Sequence, residues 1–117
     1  MNKILTGAAF VLCSAVSLHA SAGGNIDSGK AVTVKYGCAS CHGADFNSPI
    51  DPTYPRIAGQ HADYLAHALT AYKRGGDAMN GRSHAIMGGM AKPLTDKDIA
   101  DVSAYLASLP GSLARVK

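Results

Sequence analysis

Between residues 61 and 74, apolar side chains recur at the spacing of a helix that is apolar on one face. The positions follow i, i+3, i+4 and i+7: Leu65, Ala68, Leu69 and Tyr72. Gly75 and Gly76 come next, and glycine commonly follows the last turn of a helix. The pattern predicts an amphipathic helix from His61 to Arg74.

A second apolar stripe near the end of the chain follows a helix start signal. Thr95 and Asp98 stand three residues apart as in a capping box, with Asp in place of the usual Glu or Gln. The apolar positions after them share one helical face: Ile99, Val102, Leu106 and Leu109. We expect Pro110 and Gly111 to end this helix.

The remaining segments give weaker signals. A first helix is predicted from about Gly29 to Lys35, with Asp27 and Ser28 able to cap it. Its predicted apolar face consists of Ala31, Val34 and Cys38. Because no segment alternates between apolar and polar residues as a strand does, the predicted fold is all-α, with three or four short helices.

Two long segments between these helices lack helical periodicity. Residues 43–60 hold three prolines and two glycines, and we expect a loop there. Residues 75–93 are rich in Gly and Met and are predicted to form a second loop, with at most a short helix near residues 82–86. Loops of this length are unusual in a small domain unless they wrap a bound group.

The N-terminal residues have the features of a secretory signal peptide. Lys3 is followed by an uncharged apolar stretch over residues 4–18, and Ala20-Ser21-Ala22 supplies the small residues of a cleavage site. Leu12 before Cys13 argues against a lipoprotein signal. The prediction is a cleaved signal peptide over residues 1–22 and one periplasmic domain over residues 23–117, with no membrane anchor after cleavage.

Composition limits what this predicted domain can be. Without Lys3, ten of the 11 basic residues remain against eight acidic ones, which is too mild an excess to indicate a nucleic-acid partner. The chain has no Trp and few aromatic residues, and a domain this small needs an additional source of stability. Two cysteines remain after cleavage, Cys38 and Cys41.

These cysteines belong to the run Cys38-Ala39-Ser40-Cys41-His42, which has the C-x-x-C-H spacing of a c-type haem attachment site. Two thiols three positions apart can each bond one vinyl group of the porphyrin, and the next His can reach the iron. A covalent haem would also supply the missing hydrophobic core. Three other interpretations are a thioredoxin-like redox pair, half of a zinc site, and a structural disulfide. The β-α-β pattern that accompanies the thioredoxin-like motif is absent from this sequence.

The second axial ligand of a haem iron would decide between electron transfer and small-molecule binding. Three methionines follow the motif: Met79, Met87 and Met90. Met87 and Met90 flank Gly88 and Gly89, and we expect one of this pair to bind the iron, since glycines let a backbone approach a flat ring. His84 is the alternative, which would give a site with two histidines and a lower potential.

Three segments, in this order, resemble class I cytochromes c, and closest among them a single-haem member of the bacterial cytochrome c-four group. They are CASCHG at 38–43, YPRIAGQHADYL at 54–65 and MGGMAKPLTDKDIADVSAYLASL at 87–109. The resemblance implies a small fold of three to four helices around one covalent haem c. The sequence differs from the two-haem proteins of that group in lacking a second C-x-x-C-H. It also has Val34 where class I cytochromes often have an aromatic residue.

The resemblance also implies roles for individual residues. Cys38 and Cys41 correspond to the thioether attachment points, and His42 to the proximal iron ligand. Met87 corresponds to the iron-binding Met, whereas Met90 falls where relatives have Met or Val.

The second segment adds further cofactor-binding residues. Pro55 corresponds to the proline whose carbonyl accepts the Nδ1–H of the ligand His. Arg56, Gln60 and Tyr64 lie in the part that covers the haem edge and propionates.

The function implied is that of a one-electron carrier, not an enzyme, that docks transiently with redox proteins as donor and acceptor. One alternative is the haem subunit of a two-component dehydrogenase, for example one that oxidises sulfur compounds. Another is a ligand sensor, which requires an open iron position without a bound Met.

Overall fold

The computed structural model describes residues 23–112, and this part of the chain contains five helices and no strand. They are α1 (Ile26–Lys35), α2 (Ala39–His42), α3 (Ala62–Arg74), α4 (Ala85–Ala91) and α5 (Asp96–Ser108). The all-α prediction is therefore confirmed, with α2, a single turn, and α4 as the helices beyond the three that periodicity indicates. The predicted signal peptide, residues 1–22, lies outside the described residues.

Helices α1 and α5 pack closely because glycines lie where they approach each other. A Cβ atom at Gly29 would collide with the backbone of Asp101 and approach the Cβ of Tyr105 to 2.7 Å. A Cβ at Gly24 would collide with the backbone of Ala100. Neither position has room for a side chain, and α1 and α5 form the most extensive helix pair among the described residues.

The first helix differs from its prediction in both start and face. It begins at Ile26, and Asn25 caps it by accepting a hydrogen bond from the Ser28 amide, so Asp27 and Ser28 are inside the helix. Val34 is 75% exposed, whereas Val32 is buried. The predicted apolar face was wrong because Gly29, which has no hydrophobic side chain, marks the contact with α5.

The packing near Val34 explains why an aliphatic residue is tolerated there. Tyr36, two residues later, packs against the hydrophobic core. Tyr105 of α5 contacts Phe46 edge-on, with ring centroids 6.2 Å apart. Aromatic packing is thus provided from neighbouring positions of the fold, while Val34 faces solvent.

The predictions for α3 and α5 are confirmed. Gly75 follows α3 with φ of 83°, the left-handed conformation that favours glycine. At α5 the Thr95 hydroxyl accepts from the Asp98 amide and the Asp98 carboxylate accepts from the Thr95 amide, so both bonds of the capping box are present. Ile99, Val102 and Leu106 are buried in the core.

The fourth helix is a correction to the predicted loop over residues 75–93. Met87 and Met90 lie one turn apart on α4, and Gly88 and Gly89 are helical. His84 caps this helix, since its Nδ1 accepts a hydrogen bond from the Met87 amide at 3.2 Å. Helix propensity does not predict α4, because two of its seven residues are glycines and each lowers intrinsic helix stability by about 1 kcal/mol relative to Ala.

The long loop over residues 43–60 is confirmed as irregular and is fastened at several points. The Phe46 carbonyl accepts from the amides of Ile57 and Ala58 at 2.9 and 3.1 Å. Phe46 itself is 3% exposed. Asn47 donates its side-chain amide to the Pro110 carbonyl at 2.9 Å, which ties the loop to the residues after α5.

Asp101 joins the beginning of α1 to α5 and is almost fully buried. Its Oδ1 accepts from the Asn25 amide at 2.7 Å and its Oδ2 from the Lys97 ammonium at 2.5 Å. Hydrogen bonding to Lys97, and then to Asn25, lowers the pKa of Asp101 below its ordinary value. The ionised carboxylate therefore stabilises the folded chain.

Replacing Asp101 with Asn is expected to lower the melting temperature of the protein by several degrees at neutral pH. The stabilisation by Asp101 is fully present above the unfolded pKa of about 3.9 and is lost as pH falls through the lower folded pKa. The difference between wild type and variant should therefore shrink below about pH 4. Thermal melts followed by circular dichroism from pH 2 to 8 measure it, and a difference independent of pH would contradict this role.

Candidate functional site

Cys38, Cys41 and His42 occupy one tight turn between α1 and the loop over residues 43–60. Gly37 precedes the turn with φ of 64°, and the Cys38 amide then donates to the Thr33 carbonyl at 3.0 Å. Cys38 caps α2, and its carbonyl accepts from the His42 amide at 3.1 Å. The sequence thus folds both thiols and the imidazole onto one helical turn.

The state of the two thiols bears on the other interpretations of this motif. Both are free and half-buried, so they do not form a disulfide. Burial raises the pKa of the Cys38 thiol above its ordinary value. Within residues 23–112, no group of three or more His, Cys or Asp side chains is arranged to hold a metal ion. The geometry favours neither a structural disulfide nor a zinc site.

The His42 ring is buried and held in one orientation. Its exposed fraction is 7%, and its Nδ1 lies 3.0 Å from the Pro55 carbonyl oxygen. Because a carbonyl oxygen only accepts, Nδ1 carries the proton and Nε2 keeps its lone pair for a metal. Tyr54, next to Pro55, stands beside the ring with centroids 6.5 Å apart.

Two cavities share a wall at this turn. The Tyr64 cavity, of about 180 Å³, is lined by residues of α3, of α4 and of the loops before these helices, among them Gln60, Tyr64 and Arg82. The Cys38 cavity, of about 280 Å³, is lined mainly by apolar side chains. Residues lining both are Cys41, His42, Ile57, Leu69, Ile86, Met87 and Leu106.

Each predicted methionine occupies a different position relative to these cavities. Met87 lines both cavities together with His42, whereas Met90 lines only the Cys38 cavity. Met79 is 88% exposed and lines neither. His84 lines the Tyr64 cavity, but its Nδ1 accepts the Met87 amide hydrogen.

The second predicted segment reaches the site only in part. Pro55, Gln60 and Tyr64 line the Tyr64 cavity. Arg56 is exposed and lines neither cavity, and its carbonyl accepts from the Gln60 side chain at 2.7 Å. The structure therefore does not place Arg56 with the others. Its neighbours Pro55 and Ile57 line the Tyr64 cavity, whereas the Arg56 side chain is exposed.

Sequence reasoning missed Arg82, which does line the Tyr64 cavity. Its guanidinium carbon lies 5.9 Å from the Tyr64 ring centroid and 5.6 Å from that of Tyr72. Tyr72 was detectable from the apolar face of α3, but nothing in the local sequence around Arg82 indicates that it faces a cavity.

A family model described as cytochrome c matches residues 26–110. The chain belongs to the cytochrome c family. It is 36% identical over 117 residues to cytochrome c4 of Stutzerimonas stutzeri, covering 97% of this chain and 53% of that protein. It is also 36% identical over 75 residues to the thiosulfate dehydrogenase electron acceptor of Thiomonas intermedia, covering 64% of this chain and 32% of that protein.

The structure is likewise similar to that of a solved member of the cytochrome c family. Reduced recombinant cytochrome c4 from Pseudomonas stutzeri superimposes with a TM-score of 0.67 at 36% identity, over 78% of this chain and 48% of that one. The chain therefore spans about half the length of cytochrome c4. The class I cytochrome c fold implied by the resemblance is confirmed.

The cofactor of this family is haem c, attached here through Cys38 and Cys41 of the C-x-x-C-H motif. The structure of the site fits that group: two free thiols border apolar cavities, and the buried His42 has one ring nitrogen bound to protein and one left for a metal. A flat, largely apolar ring suits walls contributed by aliphatic side chains, including Leu69 and Leu106.

Proposed function

We propose that this cytochrome is a periplasmic one-electron carrier, exported through a signal peptide over residues 1–22 that is then cleaved, with a single haem domain over residues 23–117. The observation that carries the proposal is that His42 and Met87 line the same two cavities. Imidazole and thioether are both neutral ligands, and this combination is the one that cytochromes c use for electron transfer. Bound haem c supplies an iron that gains and loses one electron.

The protein residues prepare His42 for this role. The Pro55 carbonyl accepts a hydrogen bond from Nδ1–H of His42. This bond fixes the ring orientation and makes Nε2 a more basic ligand for a metal. Burial keeps the ring away from water, so the imidazole needs little rearrangement when the charge of the site changes. Low reorganisation is what a carrier needs for fast transfer.

Met87 is the proposed second ligand, and Met90 is proposed to pack beside the ring. If His42 and Met87 both held the haem iron, no position on it would be left for a substrate, which is why we propose a carrier and not an enzyme. A thioether also favours ferrous iron and raises the potential. Apolar walls such as Leu69 and Leu106 add to this effect, because low polarity disfavours the more highly charged ferric form.

Partners would reach the site where it is exposed. Ile86 lines both cavities and is 48% exposed, and Tyr64 lines one and is 50% exposed. These side chains border the site with apolar surface that a redox protein can cover in a small, transient interface. Within residues 23–112, no helix is long and apolar enough to cross a membrane.

The test is a redox titration of the purified haem-loaded protein, followed by exposure of the reduced form to carbon monoxide. We expect a reversible one-electron transition and a spectrum that carbon monoxide leaves unchanged, because His42 and Met87 would both hold the iron. Rapid carbon monoxide binding would instead support a ligand sensor with an open iron position.

A second candidate function is that of electron acceptor for a thiosulfate dehydrogenase, because a relative carries that name. It would make the chain a haem-carrying component of sulfur-compound oxidation. Stopped-flow mixing of oxidised protein with such a dehydrogenase and thiosulfate is the test. Reduction that requires both the dehydrogenase and thiosulfate supports this function, whereas no reduction leaves a general carrier.

A further inference from the structure

Arg82 is a cation at the cofactor cavity without an acidic partner among residues 23–112. It lines the Tyr64 cavity, while the ion pairs in this part of the chain are Lys73–Asp96 and Lys97–Asp101. Interaction with the Tyr64 hydroxyl, and then with that of Tyr72, raises the pKa of Arg82 above its ordinary value. The guanidinium is therefore charged, and the two rings that it contacts belong to neutral phenols.

The loop between α3 and α4 is built to hold Arg82 at this position. The Arg82 amide donates to the Ala71 carbonyl of α3 at 2.9 Å, which anchors its backbone beside the cavity. Gly81 allows the chain to pass closely, since a Cβ there would collide with the Gly75 carbonyl. Asn80 has φ of 58°, a left-handed conformation that tightens the turn.

The side chain is also positioned, by the two aromatic rings of α3. The guanidinium carbon lies 5.9 Å from the Tyr64 ring centroid and 5.6 Å from the Tyr72 ring centroid, within the range of cation–π contacts. Tyr64 and Tyr72 are eight residues apart, so they stand on the same face of α3 about two turns from each other. The Arg82 guanidinium thus lies at similar distances from both rings.

We infer that Arg82 binds a propionate carboxylate of the covalently attached haem c, with Tyr64 and Tyr72 holding its guanidinium in place. A guanidinium presents paired N–H donors that match a carboxylate, and such charge-assisted pairs are stronger than neutral hydrogen bonds. The pairing would neutralise an anion at the edge of an apolar cavity, where an unpaired carboxylate is costly. This inference rests on haem c attachment and is independent of which protein donates the electron.

The test compares Arg82→Gln with Arg74→Gln in the haem-loaded protein. Both residues are exposed and both variants lose one positive charge, but Arg74 lies at the end of α3 and does not line the Tyr64 cavity. Resonance Raman spectra report hydrogen bonding of the propionates through their bending bands. We expect those bands to shift in Arg82→Gln and to stay at the wild-type position in Arg74→Gln.

The midpoint potential provides the second readout. A cation beside the haem favours the reduced iron, so Arg82→Gln should lower the equilibrium constant for reduction several-fold, and by more than Arg74→Gln. Measuring the isolated protein excludes any contribution of Arg82 to partner docking. Propionate bands and an equilibrium constant equal to those of Arg74→Gln would overturn the inference.

Two milder variants keep the test valid if Arg82→Gln fails to accumulate with haem. Arg82→Lys retains the charge but loses the paired donors, so the propionate bands should shift with only a small change in potential. Tyr64→Phe keeps the ring and removes the hydroxyl, and a smaller band shift is expected. Wild-type bands in both variants would likewise overturn the inference. If the propionate bands or the equilibrium constant for reduction do not change as expected, the electron-carrier proposal still stands, because that proposal depends on His42 and Met87.

Discussion

Replacing Cys38 and Cys41 together with Ala is expected to leave the protein without covalently bound haem and largely unfolded. Both thioether bonds disappear, because no other cysteine lies between residues 23 and 117. Haem should then be extracted completely by acidified organic solvent, and the helical circular dichroism signal should lose its cooperative melt. The haem is expected to contribute folding free energy in the way a structural metal does.

The physical reason is the small size of the core relative to the cavities. The buried hydrophobic cluster has eight members, and several of them line the cofactor cavities, among them Val32, Leu94 and Val102. The Cys38 cavity has a volume of about 280 Å³, and its apolar walls would lack packing partners in the haem-free protein. Unfilled apolar space in a core is destabilising, and the whole stability of a small protein is only about 5–15 kcal/mol.

A matched control separates the loss of thioethers from general disruption of the turn. Ser40 lies between the two cysteines, is exposed, and donates its hydroxyl to the Gly37 carbonyl at 2.6 Å. Ser40→Ala should therefore keep covalent haem and a cooperative melt. Haem that survives extraction from the double cysteine variant would contradict the attachment, and a native-like melt without haem would contradict the role of the cofactor in folding.

The helices that pattern predicts well are those whose apolar stripe packs against the core or the cavity. Leu65 and Leu69 of α3 line the cavities, and Ile99 and Val102 of α5 are buried, so helical periodicity is preserved in the sequence. The face of α1 was predicted wrongly because its contact with α5 depends on Gly29. A close backbone approach leaves no hydrophobic signal.

Site residues were predictable only where they belong to a local motif. The C-x-x-C-H run carries its own spacing, and the structure folds it into one turn with a buried His42. Arg56 and Arg82 show the limit. Both follow turn-forming residues in loops, yet only Arg82 lines a cavity, and its amide is hydrogen-bonded to the Ala71 carbonyl of the preceding helix. The residues next to Arg82 in the sequence give no signal of that hydrogen bond.

The choice between Met87 and Met90 as the iron ligand is the second prediction with a large effect. Met87→Leu should remove the near-infrared charge-transfer band of His/Met haem and lower the potential by on the order of 0.1 V, since axial ligands set haem potentials over about 0.8 V. Met90→Leu should keep the band, because volume-conserving swaps usually cost under about 1.5 kcal/mol. Absorption spectra and redox titration of both variants measure these effects.

The positions of Met87 and Met90 on α4 support the choice of Met87 as the ligand. Met87 lies in the first turn, where the His84 side chain holds its amide, and it lines both cavities beside His42. Met90 lies one turn later and lines only the Cys38 cavity, as expected for a residue that packs against the ring. If Met87→Leu keeps the band and Met90→Leu loses it, Met90 is the ligand. If both keep it, Met79 is the remaining methionine to replace, although its 88% exposure means that its loop would have to fold onto the iron.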